Sequence, residues 1–133
     1  MRLRLIRHAT LLVRGAGHCL VVDPMLDPAG ARAPVENTPN QRRNPLVELP
    51  EPPEVVVVNA SGARFLDSGP LVMTTDDVVA VARHAPDAHV IAVHLEAINH
   101  CVETRADLHQ RLHEEGLTKQ VTVPEDGAEV PIG

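Results

Sequence analysis

The residues best equipped for chemistry in this chain are its eight histidines, at positions 8, 18, 84, 89, 94, 100, 109 and 113. Imidazole is a common metal ligand and proton carrier, so their spacing decides what they can do. No two are separated by a single residue, the spacing by which a strand end or tight loop aims two imidazoles at one cation. His94 follows the apolar run Val90 to Val93 and reads either as a ligand or as an ordinary strand-end histidine. His94, Glu96, His100 and Cys101 are of types that zinc accepts, but residues 96–100 are expected to form a turn whose side chains diverge. His109 and His113 are four apart and share a helix face. Gln110 breaks the His-Glu-x-x-His pattern, and a solvated face is the favoured reading. Ser61, in the run Asn59-Ala60-Ser61-Gly62-Ala63-Arg64, lacks the Gly-x-Ser-x-Gly surroundings of a nucleophile elbow, and the same run lacks the glycine spacing of a phosphate-cradling loop.

These side chains must be held by elements that the pattern makes visible. Leu3, Leu5, Leu11 and Leu12 alternate with polar residues, and Cys19 to Val22 follows a turn at Arg14-Gly15-Ala16-Gly17. Residues 1–23 therefore predict two or three antiparallel strands. Residues 24–54 carry Pro24, Pro28, Pro34, Pro39, Pro45, Pro50, Pro52 and Pro53, which no helical or strand period survives. So long a stretch without regular structure is functional, covered by a partner, or a mark of something missing. Val55 to Val58 predicts a strand buried on both faces. Thr74 with Asp77, and Thr104 with Asp107, resemble capping boxes with Asp in place of Glu. They predict helices over about 75–84, with Val78, Val81 and Ala82 inward, and 105–115, with Leu108 and Leu112 inward and Gly116 as the stop. Val90 to Val93 and Val121 to Val123 read as strands, and Val130 to Ile132 as a further candidate. The order of the second half implies right-handed crossovers in a mixed sheet.

The chain has 133 residues, which suits one domain, divided here into strands (1–23), a Pro-rich loop (24–54) and a β-α-β half (55–133). Phe65 is the sole aromatic residue. The core must rest on Val, Leu, Ile and Ala, which bury less area each. The net charge of −6 is spread without a basic cluster, which argues against nucleic acid. No apolar run reaches the length of a membrane span, and Cys19 and Cys101 form no Cys-x-x-Cys pair. The expectation is a cytoplasmic protein with reduced thiols and neither a nucleic-acid nor a membrane partner.

Three segments taken together carry a family resemblance: IRHATLLV with VVDPML, then TPNQRRNPLVELP, then VVVNASGARF with AVHLEAINHC. The set resembles metallo-β-lactamase-fold hydrolases of the branch that includes L-ascorbate-6-phosphate lactonase. The resemblance implies an α/β fold: a truncated αββα sandwich with an N-terminal antiparallel hairpin and a C-terminal β-α-β-α-β unit. It implies two divalent metals, zinc or manganese, in working relatives, held by a His-x-His-x-Asp-His motif and later ligands. Such metals polarise a substrate oxygen and generate hydroxide from bound water. By resemblance His94 matches the last ligand, a vestigial one in this chain. His8, Asp23, Asn59, Arg64, Asn99 and His100 become pocket candidates, Asp23 as an orienting group beyond the ligands and Arg64 as a contact for an anionic substrate. Arg42, Arg43 and Asn44 belong to a loop packed over the sheet or near the pocket.

The His-x-His-x-Asp-His motif is absent. Leu49-Pro50-Glu51-Pro52-Pro53-Glu54 runs almost directly into Val55 where the motif-bearing segment is expected, which reads as an internal deletion. Two readings follow. One is a metal-dependent hydrolase by descent, acting ancestrally on a small lactone, ester or phosphorylated molecule, inactive here and with no cofactor expected. The other is a non-catalytic remnant that binds a partner or associates with itself through unpaired sheet edges.

Overall fold

The structure is a computed structural model and describes residues 1–23, 25–48 and 54–131. Its frame is a six-stranded sheet whose spatial order follows the chain: β1 (Arg2–Arg7), β2 (Thr10–Gly15), β3 (His18–Val22), β4 (Val55–Asn59), β5 (His89–Val93) and β6 (Val121–Thr122). Two helices interrupt the second half, α1 (Thr75–His84) and α2 (Arg105–Glu114). β1, β2 and β3 are antiparallel neighbours, whereas β3 through β6 run parallel. The sheet is therefore mixed, as expected, and the β-α-β-α-β unit is present. The first 23 residues form three strands joined by two hairpins.

Local chemistry fixes both helix starts. At Thr74 and Thr104 the side chain accepts the amide three residues on, and Asp77 or Asp107 returns to the threonine amide. The two capping boxes are complete, with Asp serving where Glu is usual. The Glu103 carboxylate also accepts the Thr75 amide at 2.7 Å, adding negative charge at the positive end of α1. Gly116, at φ +70°, ends α2 in the left-handed region.

Both helices lie on one face of the sheet. Val78, Val79, Ala82, Leu108 and Leu112 pack with Val56, Val58, Val90, Ala92 and Val121 in one buried cluster. The register carries that face on through Val21 and Leu12, which with Cys19 form a second, smaller cluster. The buried side of α1 also takes in Val79, while Val81 is only partly buried and packs against the margin of the same cluster. Val81 is half-buried on the wall of an open cleft beside α1. The spacing alone could not distinguish these two positions, which lie on either side of Val78 around the helix.

The opposite face carries Leu3 and Leu5 of β1, Leu11 and Val13 of β2, Leu20 and Val22 of β3, Val55 and Val57 of β4, and Ile91 of β5, in two aligned rows. No helix or second sheet lies on it among the described residues. An αββα sandwich needs two such sheets face to face, so the architecture is one α/β layer of a sandwich.

From residue 25 to 48 the described chain forms neither helix nor strand. It is tied by one bridge between Arg32 and Asn44 and by the Arg43 guanidinium, which donates to the carbonyls of Gly30 (2.6 Å) and Ala31 (3.0 Å). Arg43 thus holds the loop to itself. Val130 is not in a strand. Pro24, the run from Leu49 to Pro53, and Ile132, on which the remaining strand expectation and the deletion point rest, lie outside the described residues.

Candidate functional site

Ligands of open α/β sheets sit outside the carboxyl ends of the parallel strands, and that edge gathers most of the candidates. β3 ends at Asp23 (φ +49°), β4 leads through Asn59 to Ser61 (φ +102°), and β5 ends at His94 (φ +67°). Left-handed backbone at a non-glycine residue costs on the order of 1–3 kcal/mol and concentrates at functional sites. Three adjacent strand ends carrying it mark this edge. His8 (φ +52°) is on the β1–β2 turn at the same edge. Four strand spacings separate it from His94, roughly 19 Å, so the two do not share a site.

The structure sorts the candidates into two groups. In the first, Asp23 and Asn59 open onto a cleft of about 660 Å³ between α1 and the start of the loop. Leu26, Asp27, Arg32, Met73, Asp77 and His84 also line it. Asp23 is held from behind by Thr10, buried, whose hydroxyl donates to the Asp23 carbonyl (2.9 Å) and accepts the Met25 amide (3.2 Å). Arg32 pairs with Asp27 at 2.6 Å.

The second group surrounds His94 and lies outside that cleft. The His94 and His100 ring centroids are 6.2 Å apart, edge to face, and His100 stacks on Phe65 at 6.2 Å. The Cys101 thiol reaches the His94 carbonyl at 3.8 Å. His94 Nδ1 and Ser61 Oγ are both buried with no hydrogen-bond partner among the described residues. The expected divergence of the 96–100 turn therefore holds for Glu96 and fails for His100. Glu96 is drawn away to Arg105 (2.5 Å), whose guanidinium also bonds Asp126 (2.9 Å) and the Pro124 carbonyl (3.1 Å). The bond from Glu96 raises the Arg105 pKa further above its ordinary value. His100 returns because its carbonyl accepts the Arg64 amide at 3.1 Å while Ser61 O takes the amides of Val102 and Glu103. Arg64 therefore joins this group through its backbone, with its side chain exposed, and Asn99 is exposed beyond the turn.

Two residues at the edge had no pointer in the local pattern. Glu103 closes against Gly62, where an added Cβ would stand 3.2 Å from its carboxyl carbon, and its bond to Thr75 spans 28 positions. Phe65 had one signal, its being the sole aromatic residue, and its stacking on His100 is a tertiary fact.

A two-metal centre does not fit these residues. Among the described residues no three His, Cys, Asp or Glu side chains lie close enough to hold one ion. His94 has one imidazole neighbour, and a protein zinc site needs at least three protein ligands.

A sheet with helices on a single face, and its strand-end turns along one edge, is one half of the α/β sandwich that the resemblance implies. Comparison with solved structures bears this out. The fold is similar to an isothiocyanate hydrolase from Delia radicum gut bacteria, with TM-score 0.56 and 19% identity, covering 96% of this chain and 98% of that one. It is also similar to a possible metal-dependent hydrolase from Veillonella parvula, with TM-score 0.57 and 16% identity, covering 92% and 95%. In sequence, 75 residues are 41% identical to the UPF0173 protein YddR of Bacillus subtilis, a stretch that is 56% of this chain and only 30% of that relative. No family model matches the chain. The fold is thus α/β of the metallo-β-lactamase type. No helix among the described residues is long and apolar enough to cross a membrane.

Proposed function

We propose that this chain is an internally shortened member of the metallo-β-lactamase-fold hydrolases that has lost the metal-dependent reaction of its relatives. The observation that carries the reading is at His94. Among the described residues its Nδ1 is buried without a partner, the condition of a ligand left without its ion, and His100 is its one imidazole neighbour. The YddR-like stretch, the isothiocyanate hydrolase and the possible metal-dependent hydrolase among the structural neighbours support descent from a hydrolase. The branch that includes L-ascorbate-6-phosphate lactonase, with lactones, esters or phosphorylated small molecules as the ancestral substrates, remains part of this reading. So does an internal deletion between the Pro-rich loop and Val55, in one cytoplasmic domain.

Metal content tests it. Protein purified without chelator is assayed by elemental analysis and screened for lactonase and phosphodiesterase activity. The expected result is well under one zinc or manganese per chain and no turnover. About two bound metals per chain, or turnover abolished by His94→Ala, would sink the proposal.

A second reading, a non-catalytic module that binds its own copies, is favoured by one observation. Leu3 and Leu5 on the outermost strand are 63% and 61% exposed. Apolar surface at a sheet margin promotes association.

A further inference from the structure

The two faces of β1 are unlike, and the difference has a direction. Arg2 and Arg4 share the face that carries the helices, together with Arg14 of β2. Leu3 and Leu5 point to the helix-free face. A strand with one face in a core alternates so that its apolar residues meet that core. The first strand is therefore patterned for a layer on the helix-free side, where no element lies among the described residues.

That apolar surface is continuous. One row runs Leu3, Val13, Leu20, Val55, and the next runs Leu5, Leu11, Val22, Val57, Ile91, each residue paired in register with its neighbour. Val55 and Ile91 are already buried, at 3% and 5% exposure, so the open part lies over β1 to β3 and the near side of β4. None of the nine side chains is charged, although the chain carries −6.

We propose that this face is the interface of a homodimer, in which Leu3, Leu5, Leu11, Val13, Leu20 and Val22 of two copies pack together as an aligned two-sheet sandwich. The occupant follows from the chemistry. A two-fold interface must complement itself, and a flat, neutral, branched aliphatic surface does so without setting like charges together. A charged partner finds no counter-charge on it. A lipid surface is usually met by Lys, Arg and Trp around the apolar face, whereas Arg2, Arg4 and Arg14 are on the far side of the sheet and the chain has no Trp. Pairing of two β1 edges would instead bring the arginine-bearing strands of two copies side by side.

The area sets the strength. The open part, from β1 to the near side of β4 and about five residues long, is roughly 14 Å by 17 Å, on the order of 240 Å² per copy in projection. A pair is then small beside stable specific interfaces, so the dimer is a weak, concentration-dependent one, dissociating in the upper micromolar range. The proposal deepens the self-association reading and does not depend on the fate of the metal centre. Metal found on a dimer would overturn the lost-centre reading alone, and a metal-free monomer would overturn the dimer alone.

Sedimentation velocity of the full chain from about 5 to 500 μM tests it. The expected result is a monomer–dimer shift across that range. A Leu3→Glu/Leu5→Glu variant is expected to stay monomeric throughout with an unchanged far-UV spectrum, because both side chains are more than half exposed. Leu20→Lys and Val13→Lys, lying two strands and one strand in from the edge, distinguish face from edge. Either one, once shown to be folded, is expected to weaken association at least tenfold. A wild-type chain that is monomeric at 500 μM overturns the proposal. So does a folded Leu20→Lys or Val13→Lys variant that still dimerises like wild type.

Discussion

The two halves of the sheet are built to different standards. The second half, β4 to β6 with α1 and α2, holds a cluster of thirteen buried apolar residues, two complete capping boxes and ion pairs joining the helices, Arg111 with Asp76 and Arg83 with Glu115. Among the described residues the first half, β1 to β3, has a cluster of just Leu12, Cys19 and Val21, with Ile6 against it. The halves meet at a parallel seam of three residue pairs, Leu20–Val55, Val21–Val56 and Val22–Val57, against five pairs for β2–β3 and for β4–β5. The Cys19 amide adds one bond across the seam, to the Glu54 carboxylate at 2.8 Å. Hairpins and capped helices form from local contacts, but a parallel seam closes a long loop, and its loop-closure entropy must be offset by packing. The second half is thus expected to carry the stability, and the first to depend on it.

The sharpest way to break that contrast is in the larger core. Leu108→Ala, at a fully buried position, is expected to cost about 3 kcal/mol and to lower Tm by roughly 10 °C. A loss under about 1 kcal/mol in urea titration would mean that α2 is not part of the main core.

Leu12→Ala probes the smaller cluster and is expected to cost about 2 kcal/mol, near the low end for such truncations, because few buried groups surround it. Hydrogen exchange should then rise across β1 and β2 while amides of β5 keep their protection. Equal loss of protection in both halves would show that the sheet opens as one cooperative unit and that the contrast is false.

Helix ends give smaller effects. Thr104→Ala removes the side-chain cap of α2 and is expected to cost about 1 kcal/mol, read as a fall in Tm with no change in oligomeric state. Glu103→Gln keeps an acceptor for the Thr75 amide but removes charge from the start of α1, for about 0.5 kcal/mol. A larger effect at Glu103 than at Thr104 would assign the carboxylate a role beyond the helix end.

The smallest expected effect is a pH dependence. Side-chain and backbone bonds from Thr104 hold the Asp107 carboxyl below its ordinary value of 3.8. Its folded pKa is depressed, so its contribution is fully present above the unfolded value and disappears as pH falls through the folded one. Helical signal of the wild type should therefore decline more between pH 4 and the acid limit than that of Thr104→Ala. Parallel profiles for the two proteins would contradict this.

Much of this was legible in the sequence. Thr74 and Thr104 with Asp three residues on located both helix starts, because a capping box is a local device with a fixed spacing. The prolines of the loop excluded regular structure there, because a missing amide and a fixed φ act wherever the residue stands.

What only the tertiary structure decided depends on residues far apart in the chain. The return of His100 to His94 needs the Arg64 amide on its carbonyl, and the stacking of Phe65 needs that same approach. The direction of Leu3 and Leu5 is another such fact. Alternation shows that one face of β1 is apolar, but only the register through β2 and β3 to β4 shows that this face is opposite the helices. Side-chain period is a property of one strand, whereas the choice of covered face is made by where the crossover helices pack.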